Sequence, residues 1–587
     1  MGNMRKTSQY IIPAEKPESG PGHYTIYPSH NLAEDKIKTG CDSLAGELAK
    51  HSLVILEGYQ GVFFEDIREQ LDSFFKQMGK RVKWMDIREA MKTEEEISAL
   101  IEPFLGGNDP LFGTRTTLGL ADFFDPVKLQ QIKPDALYDL NIIYGPGAAL
   151  FQTPGFLVYF DLPKNELQYR ARAASITNLG ASAATDIKSM YKRFFFVDWI
   201  VLNRHKQDLL HQIDIVADAQ RAGELSWAHG HDIREALHFL SRNVFRVRPW
   251  FEPGAWGGTW CLKNIEGLNK DVPNYAWSFE LIVPENGIIF ESSGKMLEVS
   301  FDMLMFQEAA AIQGEAFERF GYEFPIRFDF LDTFNGGNLS VQCHPQLEYI
   351  REHFNESFTQ EETYYILDTQ ENTCVYLGFQ DDIDPGFFER SLNESFLGMK
   401  ELEIEKYVRK LPARKHDFFL IPPGTIHASG KNNLVLEISS TPYIYTFKMY
   451  DWVRPDLDGK PRPLNIKRAM ANLCFHRKGK YVVEKLISKP ELIETGDGWE
   501  LYHLPTHNKH FYDVHRIHLK TRIDIPTKNK FMVMNLVKGS SIIIETDSGH
   551  RAQFNYAETF VIPAAAGSFR IINLDPGEAM IVNAFIK

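Results

Sequence analysis

Near residue 247 the hydrophobic pattern changes its period, and that break constrains the fold more than any other feature of the sequence. Upstream of it, apolar runs at 52–57 (SLVILE), 140–144 (LNIIY), 155–160 (GFLVYF) and 213–217 (IDIVA) alternate with helix-like stretches such as 64–78 and 167–174. Buried strands that alternate with amphipathic helices predict βαβ units on a mostly parallel sheet. Downstream the runs are short and separated by turn residues, at 339–345, 363–368, 374–379, 416–424, 434–439 and 443–450, with one helix-like stretch at 301–320. A second series fills 499–587. Short strands at this spacing predict sandwiches or barrels. The expected organisation is a proline-broken arm over 1–40, an α/β domain over 41–246, a β domain over 247–485 and a second β domain over 486–587.

Composition narrows the partners. Asp and Glu number 78 against 64 Lys and Arg, a formal charge of −14. Such a surface repels phosphate backbones and anionic lipid, so neither nucleic acid nor membrane is the expected partner. The five cysteines (Cys41, Cys261, Cys343, Cys374, Cys474) are scattered, with no CxxC pair, which argues against a disulfide framework and a thiolate zinc site. No run of about 18 apolar residues is present. The plain expectation is a soluble, reduced, cytoplasmic protein.

One constellation carries chemistry. Gln342 and His344 lie two apart in a predicted strand, so both side chains leave one face of the sheet. Glu362 opens the next strand, and His427 follows the turn IPPGTIH. Imidazole, carboxylate and amide oxygen together suit a divalent ion such as zinc. The spacing alone is equally met by histidines in turns or on the surface. Cys343, between two of these residues, points to the opposite face.

The stretch 249–587 resembles the class I mannose-6-phosphate isomerases, zinc-dependent enzymes of the cupin (jelly-roll) fold. PWFEPGAWGGTW at 249–260 is similar to their tryptophan–glycine–glycine segment, and FPIRFDFLDTFNGGNLSVQCHP at 324–345 to the segment with their glutamine and first histidine ligands. EETYYIL at 361–367 resembles their third-ligand strand, and residues 421–470 give the longest match. The resemblance implies zinc held by Gln342, His344, Glu362 and His427. It also implies interconversion of mannose 6-phosphate and fructose 6-phosphate through a cis-enediolate, with Glu437 on the position of the glutamate proposed as base. Lys448 stands where the family has an arginine, which keeps the charge and loses the two-pronged fork. Gln360 and Asp329 fall where the family has lysines, the latter alignment crossing an insertion at Gly336–Gly337. The cationic surroundings of the site are therefore thinned, with the run 406–416 or Arg454, Lys460 and Arg462 as substitutes. The alternatives are a metal-containing sugar-binding regulator that has lost catalysis, or an isomerase or epimerase of a related sugar.

Residues 45–245 resemble the uridine-kinase-type P-loop fold, through LVILEGYQGVFFEDIREQL at 53–71 and NIIYGPGAALFQTPGFLVYFDLPKNELQYRARA at 141–173. The loop Gly58–Val62 runs into Phe63 and Phe64, and the chain has no Gly-Lys-Ser/Thr. Without that lysine and hydroxyl, phosphates and magnesium lose their main ligands, so the domain is expected to be dead for phosphoryl transfer while still able to bind a nucleotide or sugar, and no nucleotide cofactor is assigned. Regulation or a homo-oligomer interface is left for this domain. Arg170 and Arg172 read as a solvated helix face, and His229 and His231 as a loop before a helix capped by Asp232. The fold class expected overall is multidomain, a P-loop-kinase-like α/β domain followed by mainly-β cupin domains.

Overall fold

A computed structural model describes residues 4–17, 22–151, 153–221, 223–456, 459 and 462–587. The chain divides into two compact units. One contains Tyr27–Leu240 with Pro284–Glu308, the other Ser241–Val283 with Ala309–Lys587, and each takes part of the N-terminal arm. The arm's Pro21 and the candidate Lys460 lie outside the described residues.

The first unit is built on a seven-stranded sheet in the order Lys38–Thr39, Ser226–His229, Ile215–Asp218, Phe156–Asp161, Leu53–Gly58, Leu140–Tyr144, Val82–Asp86. The last five run parallel, and the first two pair antiparallel at one edge. Four of the parallel strands are the four apolar runs of the sequence. The fifth, Val82–Asp86, escapes that reading because it is a half-exposed edge strand carrying Lys83 and Asp86. The helix Phe64–Gln77 buries Phe64, Ile67, Leu71 and Phe75, which recur every three or four residues and so form one stripe. Pro284–Glu308 interrupts the contiguous blocks expected from the sequence. Its strand Gly287–Ser292 pairs in parallel with Ser29–Asn31 of the arm, which draws the segment into this unit.

Two local readings are corrected. Arg170 is not solvated: it is buried on the helix Lys164–Arg172, paired with Glu166 and donating to Gly61 O, Ala219 O and Gln220 O. Its guanidinium also stacks 4.2 Å from the Phe63 ring centroid. His229 and His231 do not share a capping loop. The strand Ser226–His229 passes directly into the helix Gly230–Leu240, so Asp232 lies inside the first turn.

The second unit holds two β layers-in-pairs. In the first pair, a seven-stranded sheet runs Ile487–Ser488, Phe418–Ile421, Glu362–Thr369, Asn433–Ser440, Ile326–Asp332, Trp277–Leu281, Trp250–Glu252. Its five-stranded companion runs Val408–Pro412, Cys374–Phe379, His427–Ser429, Val341–Cys343, Phe447–Tyr450. In the second pair, sheets of six and four strands share one apolar core that includes Ile517, Leu536, Ile544, Phe560, Ile571 and Ile581. The tryptophan–glycine–glycine segment owes its glycines to close approach. A Cβ on Gly258 would lie 2.1 Å from Asp332 Oδ1 and 2.4 Å from Phe334 N.

Candidate metal centre

Strand register decides which side chains meet. In the seven-stranded sheet, Glu362 pairs with Ser439, which pairs with Arg327, and one pleat further along Tyr364 pairs with Glu437 and Glu437 with Asp329. Residues i and i+2 share a face, so Glu362, Tyr364, Glu437, Arg327 and Asp329 all project from one side of that sheet. In the five-stranded sheet, Gln342 sits opposite both His427 and Lys448. The two inner faces meet at the ligand set: His344 Nε2 is 2.6 Å and His427 Nε2 3.0 Å from Glu362 Oε2. The Gln342 amide end lies 3.4 Å from His427 Nε2. All four residues are buried.

The hydrogen bonds around the imidazoles fix their tautomers. His344 Nδ1 faces Tyr445 O at 3.1 Å and His427 Nδ1 faces Thr425 O at 3.0 Å. A carbonyl oxygen only accepts, so each Nδ1 carries the proton and each Nε2 presents a lone pair. Two lone pairs then converge on a carboxylate oxygen, an arrangement of three acceptors that suits a cation between them. The other carboxylate oxygen, Glu362 Oε1, is buried and has no partner on the protein. Second-sphere carbonyls that orient metal-binding histidines are the usual support of such a centre. The His344, Glu362 and His427 donors lie within 4.8 Å of one another. Borderline nitrogen and oxygen donors in this number fit zinc.

The acid–base surroundings follow from burial and charge. Burial, reinforced by the carboxylates of Glu362 and Asp329, pushes the Glu437 carboxyl well above the usual range, against the pull of Arg327. Burial and the nearby Arg462 guanidinium push the Lys448 ammonium down to about 8. Burial lowers the proton affinity of the His344 imidazole, in keeping with a neutral ring. Cys343 turns to the other face, with Sγ 3.9 Å from Ala469 O.

The structure also places the substitutes for the thinned charges. Lys406 and Lys410 pair with Glu403 and Glu405 on the exposed edge. Arg454 and Arg462 both bind Asp451, and Arg462 also donates to Ser340 Oγ at 3.1 Å. Sequence reasoning missed Arg327, which is buried and bridges Glu437 and Asp329, the latter at 2.8 Å. Its signal was present in FPIRFDF: two charged residues at period two inside an apolar strand must share an inward face.

Comparison with known proteins adds the relatives. A family model described as a domain of unknown function (DUF8485) matches residues 40–242. The chain is 27% identical over 251 residues to a Bacillus subtilis protein named "Probable mannose-6-phosphate isomerase GmuF", covering 43% of this chain and 73% of the relative. It is 25% identical over 331 residues to mannose-6-phosphate isomerase ManA of the same organism, covering 55% of this chain and 94% of the relative. The crystal structure of a Bacillus subtilis mannose 6-phosphate isomerase superposes with a TM-score of 0.46 at 20% identity, over 58% of this chain and 99% of that one.

Proposed function

We propose that the second unit is a zinc-dependent aldose–ketose isomerase acting on sugar phosphates, with mannose 6-phosphate and fructose 6-phosphate as the pair. The observation that carries this reading is the buried convergence of His344 Nε2, His427 Nε2 and Glu362, beside a second carboxylate, Glu437, on the same inner face. Gln342, His344, Glu362 and His427 would hold the ion, which when bound polarises sugar oxygens and offsets the negative charge of the enediolate. Glu437 takes the proton from C2 of the aldose and returns it to C1, so the ketose forms with no net change in protons. Burial raises the proton affinity of the Glu437 carboxylate well above the usual range, which favours its taking a proton from carbon. Arg327, bonded to Glu437, holds the carboxyl group in place through both proton transfers. Lys448 pairs with Gln342 on the neighbouring strand of the five-stranded sheet and supplies a positive charge to the anionic end of the substrate.

The Arg327–Glu437–Asp329 bridge also favours a second reading, in which the base is tied up and the protein binds a sugar without turning it over. A coupled assay for fructose 6-phosphate from mannose 6-phosphate separates the two. With zinc supplied, turnover is expected for the native chain and lost in His344→Ala. A zinc-loaded protein with no turnover leaves the regulator, and turnover of another sugar in a substrate panel moves the assignment to that sugar.

A further inference from the structure

The parallel sheet of the first unit has an open cavity of about 420 Å³ beyond the carboxyl ends of its strands. Its walls come from the segments that follow Leu53–Gly58, Val82–Asp86, Leu140–Tyr144 and Phe156–Asp161. In the sheet, Val82–Asp86 and Leu140–Tyr144 lie on one side of Leu53–Gly58 and Phe156–Asp161 on the other, so chain order reverses there. Loops part at such a reversal and leave a crevice for a ligand, and this volume suits a small molecule. Two walls are already fixed to each other. Gln60 Nε2 donates to Thr177 O at 3.0 Å, and Arg170, on the helix that leads into 175–182, donates to Gly61 O at 2.7 Å. Arg170 also covers one face of the Phe63 ring, which lines the cavity.

The lining mixes donors and acceptors without a net positive charge. Arg88 is neutralised by Asp86 and Glu65. Lys92 donates to Asp122 O at 2.7 Å and meets no carboxylate among the described residues, but Glu94 stands two residues away on the same lining. Glu94 accepts from the hydroxyl and amide of Ser182, which holds its carboxyl below the usual range. Each group has capacity left: an ammonium has three protons and a carboxylate about four acceptor sites. Gln60 Oε1 accepts nothing among the described residues. The geometry points to a binding site for an uncharged polyhydroxy compound of about monosaccharide size, its hydroxyls shared by Lys92, Gln60 and Glu94 and its C–H face set against Phe63. A hydroxyl accepts from Lys92 and donates to Gln60 or Glu94 in turn. A polyphosphate chain is disfavoured, since the two cations are offset by Asp86, Glu65 and Glu94 and leave no charge to meet it. Every residue named lies in the first unit, so the inference does not rest on the isomerase reading.

Hydrogen exchange read by mass spectrometry on the full chain tests this, because it reports where a ligand sits. Mannose, glucose, mannitol and uridine, each titrated through the millimolar range, are the neutral probes; mannose 6-phosphate and ATP are the anionic ones. At least one neutral probe is expected to slow exchange in 58–64, 91–94 and 175–182 at lower concentration than either anion. Lys92→Met keeps the aliphatic stem and removes the donor, so the midpoint should rise about 10-fold or more, while Lys92→Arg should stay close to native. Ala181→Trp fills the cavity from an exposed loop and should abolish the protection, which keeps the test valid if Lys92→Met melts early. Protection led by uridine supports the site and makes a ribose the source of the hydroxyls, and protection led by mannose, glucose or mannitol makes it a free sugar or polyol. Three results overturn the inference: no neutral probe slows exchange in these segments, an anion does so at lower concentration, or the midpoints are equal in the native chain, Lys92→Met and Ala181→Trp.

Discussion

Each unit buries a cluster of charged side chains, and the two clusters differ in whether they are closed. In the first unit Lys206 donates to Asp161 Oδ1 at 2.8 Å, Asp302 Oδ1 at 2.9 Å and Ser300 Oγ at 2.8 Å, while Lys164 binds the other oxygen of Asp302. Two ammonium groups face two carboxylates. Glu57, on the strand that precedes the phenylalanine-bearing loop, is equally engaged: it accepts from Gly58 N, Gly147 N and Ala149 N and meets His205 Nε2 at 3.0 Å. The backbone amides there are spent on an internal carboxylate. The second unit's cluster leaves Glu362 Oε1, Gln360 Oε1 and Tyr364 Oη unmatched and aims two bare imidazole nitrogens at one oxygen. A buried polar network that closes on itself adds stability and specifies a core, whereas one that stays open does so at a cost that binding can offset. The contrast assigns architecture to the first cluster and chemistry to the second.

The largest effect that would break this contrast is expected at Lys206. Lys206→Ala leaves Asp161 and Asp302 buried with one ammonium between them, and removing one partner of a buried pair costs about 3–5 kcal/mol. Chemical denaturation should show that loss, and a variant as stable as the native chain would mean the first cluster is not closed. The second cluster should respond to metal instead. Zinc at about 100 times its dissociation constant stabilises the native chain by about 2.7 kcal/mol, and His344→Ala should abolish that increment without lowering the metal-free stability. Thermal melts with and without zinc check both halves. A metal-free His344→Ala protein that melts well below the metal-free native chain would mark His344 as structural.

Legibility in the sequence follows the same divide. Strands buried on both faces announce themselves as apolar runs, so 140–144 was found to the residue as Leu140–Tyr144. The edge strand Val82–Asp86 was not, because solvent tolerates its charges. The proposed ligands Gln342, His344, Glu362 and His427 were legible because period two and a turn fix where those residue types point, and the structure brings their side chains together. Arg170 was misplaced because charge alone does not reveal burial: its partners Gly61, Ala219 and Gln220 lie 49 to 109 residues away in the chain. The unmatched Tyr364 hydroxyl was invisible for the same reason, since absence of a partner is a property of the folded neighbourhood.

The smallest expected effect separates the units by acid. In the second unit burial pushes His416, His507 and His515 down to about 4 each, with His416 Nδ1 held at 2.8 Å by the Tyr365 hydroxyl. These rings are neutral in the fold, and in the unfolded chain each takes a proton near pH 6.5. The unfolded state therefore binds more protons between pH 6.5 and about 4, and stability falls as pH drops through that window. Solvent reaches all three rings, so about 1 kcal/mol apiece is the discounted size of the loss. The first unit has no such liability in its closed cluster, because Lys164 and Lys206 outweigh burial and hold the Asp302 carboxyl well below the usual range, so it stays ionised and paired throughout the window. Hydrogen exchange followed by mass spectrometry at pH 7, 5.5 and 4.5, corrected for intrinsic rates, should show protection falling in Ser241–Val283 and Ala309–Lys587 before it falls in Tyr27–Leu240. His515→Asn should flatten the slope only in part, since His510, His518 and His550 of the same unit are lowered as well. Equal loss of protection in both units, or loss led by the first, would mean that the closed cluster confers no special resistance to acid.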